Sequence, residues 1–238
     1  MERLDKILAG TGRWSRREVK ELVRQGRVTL DGAPAASPEQ KLEPTAADIR
    51  VDGEPVAYRR FTYILLHKPA GVLSAVEDSR QKTVLDLLPP ELRKQGLSPV
   101  GRLDKDSEGL LLFTNDGALM QAMTHPRHQV DKTYEVTVSG TLDGAAERLS
   151  AVGELDGEPI VPAQVTQVWR RGGQALLLVT IHQGKNRQIR RMCAKVDLQV
   201  MRLRRIAEDT LTLGSLPPGQ WRYLTEAEVS ALKGSERE

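Results

Sequence analysis

The run from Gly101 to Gly117, GRLDKDSEGLLLFTNDG, constrains the fold more than any other stretch of the chain. Leu110 to Phe113 form an unbroken apolar segment of the length expected for a strand buried on both faces. Asn115-Asp116-Gly117 supplies turn chemistry, because these residues tolerate the backbone angles of a reversal. Arg102, Asp104, Lys105, Asp106 and Glu108 therefore lie on the segment that feeds a core strand. A charged loop anchored to a rigid element is a common way to hold a catalytic group in place. Taken alone, the run is more simply a solvated loop ahead of a strand.

With 238 residues the chain has room for one large domain, or for a large and a small one. Its charged (28%) and apolar (39%) fractions fit a soluble globular protein. No apolar run approaches the roughly 20 residues that a spanning helix needs. MERLDKILAG lacks the apolar core of a signal peptide, so a cytoplasmic protein without a membrane partner is expected. The single cysteine, Cys193, excludes an internal disulfide and reads as a packed core thiol rather than a nucleophile. Net charge is only +3, yet the cations are bunched. Arg13, Arg16, Arg17, Lys20, Arg24 and Arg27 make one cluster; Lys185, Arg187, Arg190, Arg191, Lys195, Arg202, Arg204 and Arg205 make another, with Asp197 as its sole local counter-charge. Such bunching on a nearly neutral chain predicts a polyanionic partner, because the cations otherwise repel one another.

Leu4, Ile7 and Leu8 have helical spacing, and Ser15 with Glu18 predicts the capping box of a second helix. Val19, Leu22 and Val23 form the apolar stripe of that helix and leave its cations outside. Residues 27–32 read as a strand and turn, and Ile49-Arg50-Val51 as a short strand, with a linker at Glu54 to Arg60. Further on, the expectations are a strand at 61–66, a helix at 83–88 stopped by Pro89-Pro90, and a helix at 118–123. A strand at 132–139 carries Tyr134, Val136 and Val138 on one face. A helix at 142–152, a strand at 174–181 and a frayed tail from Ser230 complete the reading. Strands and helices mix without a βαβ repeat, which predicts an α+β fold on a largely antiparallel sheet.

Arg102-Leu103-Asp104, Ser107, Gly109-Leu110 and Asn115-Asp116-Gly117 together resemble the central motif of the RsuA-type family of ribosomal RNA pseudouridine synthases. Lys68-Pro69-Ala70-Gly71 resembles that family's Lys-Pro-x-Gly turn, and Lys132-Thr133-Tyr134 its Lys-x-Tyr strand start. Gly184, Gln188, Ile189, Arg190, Arg191 and Met192 match its last motif. Arg3-Leu4-Asp5-Lys6, Ser15-Arg16, Gly26-Arg27-Val28 and Asp31-Gly32 resemble the αL RNA-binding module. The resemblance implies an αL module with its linker at residues 1–58 and a catalytic domain at 59–238, built on a largely antiparallel mixed sheet with flanking helices. It also implies a monomer that isomerises a uridine of ribosomal RNA, or of a ribosome assembly intermediate, to pseudouridine. No cofactor or metal is required by that stoichiometry.

By the same resemblance the essential aspartate is Asp104, Tyr134 stacks on the target uracil, and Arg190 ion-pairs with the aspartate. Arg102 is expected beside the displaced RNA. The RNA-binding cations are Arg3, Lys6, Arg16, Arg17, Lys20, Arg24, Arg27, Lys185, Arg187 and Arg191. On chemistry alone, a carboxylate between Arg102 and Lys105 stays ionised, which suits a nucleophile or a base. Asp104 with Asp106 as metal ligands is the rival, and it lacks His or Cys nearby. His125, His128 and His182 are further candidates for acid–base work. The chain departs from the family at Ala207-Glu208-Asp209-Thr210, where a Gly-rich turn is usual; two acids there are expected to change a contact to RNA. Ser74-Ala75 and residues 83–88 look closer to small-subunit enzymes, whereas 184–188 look closer to large-subunit ones. Small-subunit RNA is the expected target, with large-subunit RNA the alternative. A non-catalytic ribosome-associated binder and a nucleoside glycosylase are the rivals from other classes.

Overall fold

A computed structural model of the chain describes residues 1–44 and 46–234. Leu4, Ile7 and Leu8 do share the buried face of a helix, α1 (Leu4–Gly10). The second helix, α2 (Arg16–Arg24), begins with the expected capping box: the Glu18 amide donates to Ser15 Oγ at 3.2 Å and the Ser15 amide donates to the Glu18 carboxylate at 2.6 Å. Val19, Leu22 and Val23 turn inward against α1 and a small sheet ordered β2-β1-β3-β4. Its strands are β1 (Val28–Leu30), β2 (Ala33–Pro34), β3 (Ile49–Val51) and β4 (Glu54–Pro55).

The chain divides into two compact units, and the first comprises Met1–Thr62 with Leu88–Ser98. Residues 54–60, read as a linker, instead carry β4 and bury Val56 in the core of this unit. The expected helix at 83–88 is also corrected. Only a 3-10 turn forms there, at Leu85–Leu87. Pro89-Pro90 begins a helix, α3 (Pro90–Arg93), rather than stopping one. Proline lacks only an N–H that the first turn leaves unpaired anyway.

The second unit comprises Tyr63–Leu87 and the chain from Pro99 onward. Its strands are β5 (Tyr63–Lys68), β6 (Glu108–Thr114), β7 (Lys132–Gly140), β8 (Gln164–Arg171), β9 (Gln174–Ile181), β10 (Leu198–Glu208), β11 (Leu211–Thr212) and β12 (Trp221–Tyr223). The central sheet runs β8-β9-β7-β10-β6-β5-β12, and β11 pairs with β10. Every neighbouring pair on this path is antiparallel except β10 and β6, which meet in parallel at Arg204 opposite Glu108 and Arg205 opposite Gly109. The fold is α+β, with a mixed and mostly antiparallel sheet. Helices α4 (Gly117–Thr124), α5 (Ala145–Ser150), α6 (Gln188–Lys195) and α7 (Glu226–Gly234) flank the strands.

Several boundaries move. The strand expected at 61–66 begins at Tyr63 and continues through His67 and Lys68, which pair with Leu110 and Gly109. The helix expected at 142–152 is confined to Ala145–Ser150. The tail expected to fray from Ser230 is helical to Gly234 and buries Leu232; residues 235–238 lie outside the described ones. Among the described residues no helix is long and apolar enough to cross a membrane.

Gly109 decides whether β6 and β10 can touch. Its φ is +115°, and a Cβ there would overlap the carbonyl and amide of Arg205. Gly109→Ala should therefore destabilise the unit by more than the 1–3 kcal/mol or so typical of a strained backbone position, because a clash adds to the strain. Urea unfolding measures this; an unchanged midpoint would contradict the close approach.

Candidate active site

Asp104 sits on a loop held by its main chain. The Ser107 amide donates to the Asp104 carbonyl at 3.1 Å and closes a turn. Ser74 grips Leu103 from both sides: its hydroxyl donates to the Leu103 carbonyl at 2.7 Å and accepts from the Leu103 amide at 3.1 Å. The Gly71 amide donates to the Lys105 carbonyl at 2.7 Å. Lys68 is fully buried, and its ammonium donates to the carbonyls of Ser107 (2.7 Å), Pro69 (3.1 Å) and Lys105 (3.3 Å). Burial pulls this ammonium down to about 8, against the opposing pull of Asp106, Asp104 and Glu108. Sequence reasoning took the Lys-Pro-Ala-Gly turn as a shape element and missed the grip of Lys68 on the loop. A lysine ending an apolar strand was the available signal.

The loop borders a cavity of about 570 Å³ lined by Asp104, Arg102, Tyr134, Arg187, Ile189 and Leu203 among others. Asp104 is half-buried and Arg102 exposed. Tyr134 lies on β7 with 7% of its surface exposed, so a small part of the side chain closes the cavity wall while the rest belongs to the core cluster with Val136 and Leu203. Its hydroxyl is pushed up by burial; Arg205 opposes this, while Glu208 and Asp104 add to it. The structure thus brings Asp104, Arg102 and Tyr134 to one cavity. Arg190 is placed differently from the sequence expectation: its ion pair is with Asp106 at 3.0 Å, which also receives Arg187 at 3.4 Å. The turn at 104–107 is the reason, since it takes Asp106 off the line of Asp104 and out to solvent. Among the described residues no group of three or more potential metal ligands gathers.

The second basic cluster is not left to repel itself. Lys185 pairs with Glu158, Arg191 with Asp156, Lys195 with Glu154, Arg202 with Glu108, and Arg204 with Glu135. Carboxylates distant in sequence do what local ones could not, and this overturns the reading of an uncompensated patch. Arg205 and Glu208 form a buried pair, 1% and 2% exposed. Glu208 is therefore not the surface acid expected to meet RNA. In the first unit, Arg3 is tied to the buried Asp5 by two hydrogen bonds, and Lys6 pairs with Glu2 at 3.8 Å. Lys20 pairs with Glu39, Arg24 with Glu21 and Arg27 with Asp52. Among the described residues Arg16 and Arg17 have no ion pair and stand exposed on α2.

The histidines gather elsewhere. His125 and His182 line a neighbouring cavity of about 350 Å³, and His128 bonds the Ala122 carbonyl at 2.7 Å. Cys193 is buried and its thiol is pushed up to about 12 by burial, so it is a core group and not a nucleophile.

Residues 62–195 match the RNA pseudouridylate synthase family, and residues 2–47 match the S4 domain. The chain belongs to the RNA pseudouridylate synthase family. It is 41% identical to an uncharacterized RNA pseudouridine synthase, YtzG, of Bacillus subtilis, over 97% of this chain and 98% of that one. Ribosomal large subunit pseudouridine synthase B of Bacillus subtilis is 36% identical over 98% and 96% of the two chains. Ribosomal small subunit pseudouridine synthase A of Vibrio cholerae is 37% identical over 97% and 99%. A crystal structure of a pseudouridylate synthase superposes with a TM-score of 0.64 at 28% identity, covering 98% of this chain and all of that one. Family membership makes the protein an RNA-modifying isomerase with an RNA-binding N-terminal domain.

Lys68→Met should cost about 1–3 kcal/mol at neutral pH, because buried carbonyls lose their donor. The charged ammonium titrates in the folded state below its ordinary value of 10.5, so wild-type stability gains as pH rises from about 8 toward that value. The gap between wild type and Lys68→Met should accordingly widen between about pH 7 and about pH 9.5, a difference that urea unfolding at both values reads directly.

Proposed function

We propose that this pseudouridine synthase acts on a uridine of ribosomal RNA and that Asp104 initiates the reaction in the cavity it shares with Tyr134. The observation that carries the reading is the pairing, at one cavity, of a half-buried carboxylate with an aromatic wall. A uridine must leave its stack to reach Asp104, and the ring of Tyr134 offers the extruded uracil a stacking surface. Arg102, exposed at the cavity edge, is placed to hold the displaced strand. The bond from N1 to the ribose breaks, the base turns, and the bond from C5 forms; C5 loses its proton and N1 gains one. Asp104 starts cleavage either as a nucleophile or as a base on the ribose 2′ position.

RNA reaches the site through cations whose carboxylate partners are exposed. Such pairs contribute only about 0–1 kcal/mol, so phosphates can replace Glu158 or Asp156 at little cost. Lys185, Arg187 and Arg191 then serve the catalytic unit, while Arg16 and Arg17 lead the contacts of the S4 domain. Small-subunit RNA is the target we favour, on the Ser74-Ala75 and 83–88 stretches. The protein works as a monomer in the cytoplasm.

Purified protein incubated separately with unmodified small- and large-subunit RNA, followed by pseudouridine mapping, tests the reading. Pseudouridine in large-subunit RNA alone would overturn the subunit choice, and its absence from both would overturn the ribosomal target. Asp104→Asn should abolish product while leaving RNA affinity nearly unchanged; full activity would remove Asp104 from its role. Tyr134→Ala should lose about 1–3 kcal/mol of RNA affinity, whereas Tyr134→Phe keeps it. Arg16→Ala with Arg17→Ala should flatten the slope of log affinity against log salt by roughly one to two units.

A further inference from the structure

Trp14 stands where the first unit turns from α1 into α2, and the chain is pinned on both sides of it. Ahead of it, the Gly12 amide donates to the Ala9 carbonyl at 3.0 Å and the Arg13 amide to Thr11 Oγ1 at 3.3 Å. Behind it, Ser15 caps α2. The indole is half-buried: part of it packs against the core of the unit, and part lines a cavity of about 370 Å³. That volume lies within the range of small-ligand sites. The facing wall comes from α3, with Pro90, Glu91 and the capping residue Lys94. This segment lies outside residues 2–47, which match the S4 domain, yet it packs as part of the same unit. Gly12 permits the approach. Its φ is +77°, and a Cβ there would overlap the Glu91 carbonyl. The Gln95 side-chain amide fixes the same contact by donating to the Thr11 carbonyl at 2.9 Å.

The cavity sets an aromatic ring between cations. Arg13 and Lys94 are exposed, and among the described residues neither forms an ion pair. The wall also carries an acid, Glu91. Arg16 and Arg17 stand exposed on the first turn of the helix that follows. The Arg13 guanidinium lies 4.4 Å from the centre of the Trp14 ring. At an exposed site such a contact is favoured only about two- to fivefold. A nucleobase stacked on an aromatic ring gains from about fivefold to well over a hundredfold in affinity. The base therefore displaces the guanidinium, which is then free to meet a phosphate. We propose that this cavity takes one unpaired nucleotide of RNA, its base stacked on Trp14 and its phosphates against Arg13 and Lys94. This rests on the reading of the S4 domain as RNA-binding and extends it, because α3 completes a site that residues 2–47 alone would leave without its facing wall. A base inside a duplex is excluded, since both its faces are already stacked; a splayed base of a loop or bulge is not. Every base has such a face, so the site selects single-stranded RNA and not a particular sequence.

The test titrates the full-length protein with a short single-stranded oligouridylate and, separately, with a blunt RNA duplex of equal length. Tryptophan emission reports on Trp14, and the anisotropy of a labelled strand gives the affinity. The single strand should quench the wild type, and the difference from Trp14→Phe separates Trp14 from Trp169 and Trp221. Trp14→Phe keeps a ring and should bind within about threefold of wild type, whereas Trp14→Leu should lose about tenfold. Lys94→Gln should weaken binding about twofold and reduce the slope of log affinity against log salt by about 0.7. The duplex should leave the emission of Trp14 unchanged. A Trp14 left unquenched at saturating single strand, or quenched equally by the duplex, would overturn the proposal. That comparison needs only the wild type and Trp14→Phe, so it decides the matter even where Trp14→Leu fails to fold. An unchanged salt slope in Arg16→Ala/Arg17→Ala would refute RNA binding by the S4 domain as a whole. A flattened slope there with Trp14 unquenched would refute the Trp14 site alone.

Discussion

The ammonium of Lys68 is the contact on which the rest of the site depends. It sits at the end of β5, out of water, with the carbonyls of Pro69, Lys105 and Ser107 around it. A buried ammonium without acceptors would be far too costly to keep. The loop after Leu103 must therefore curl so that its carbonyls point inward, and that curl leaves Asp104 facing the cavity while Asp106 turns out. Ser74 and Gly71 reinforce the same geometry. β6 then starts where the loop ends, and Gly109 lets it lie close enough to β10 for Arg205 to reach Leu110.

Much of this was legible in the residues. The apolar run of β6, the alternation of β7 and the capping box of α2 all reflect local rules that tertiary structure had no reason to override. Asp104 and Tyr134 were identified by motif and do line one cavity. What stayed hidden has physical causes. β10 escaped detection because it carries bulges: Val138 pairs with Val200 and Thr137 with Arg202, which leaves Met201 unpaired and breaks the alternation. β8 was hidden by the same device, with a register shift between Gln167 and Trp169, and by its exposed edge position. The role of Pro89-Pro90 was misread because a proline pair ends one helix and opens another with equal ease. Lys68 and Glu208 were misjudged as turn and surface residues, since charge in a sequence says nothing of the acceptors or donors that folding will bring to it.

Charge pairing shows the same limit from the other side. Counted along the chain, the run from Lys185 to Arg205 has one acid. In space it meets Glu158, Asp156, Glu154, Asp106, Glu108, Glu135 and Glu208. Some of these pairs are solvated and weak, others buried and exacting, and only burial separates them. A basic stretch is thus two kinds of surface at once: a rim that can trade partners and a floor that cannot.

A loop held by its carbonyls keeps its shape whatever side chains it displays. Lys105 and Asp106 project into solvent, and neither contributes its side chain to the clamp formed by Lys68, Gly71 and Ser74. Asp106 also holds Arg187 and Arg190, so Lys105, whose ammonium reaches Gln81 instead, is the position where substitution changes the electric field and the steric profile around Asp104 while the main-chain clamp stays. On the proposed role of Asp104, a side chain displayed there can alter what the cavity mouth accepts while the carboxylate keeps its place, so divergence of substrate among descendants of this chain has a path that does not pass through loss of activity.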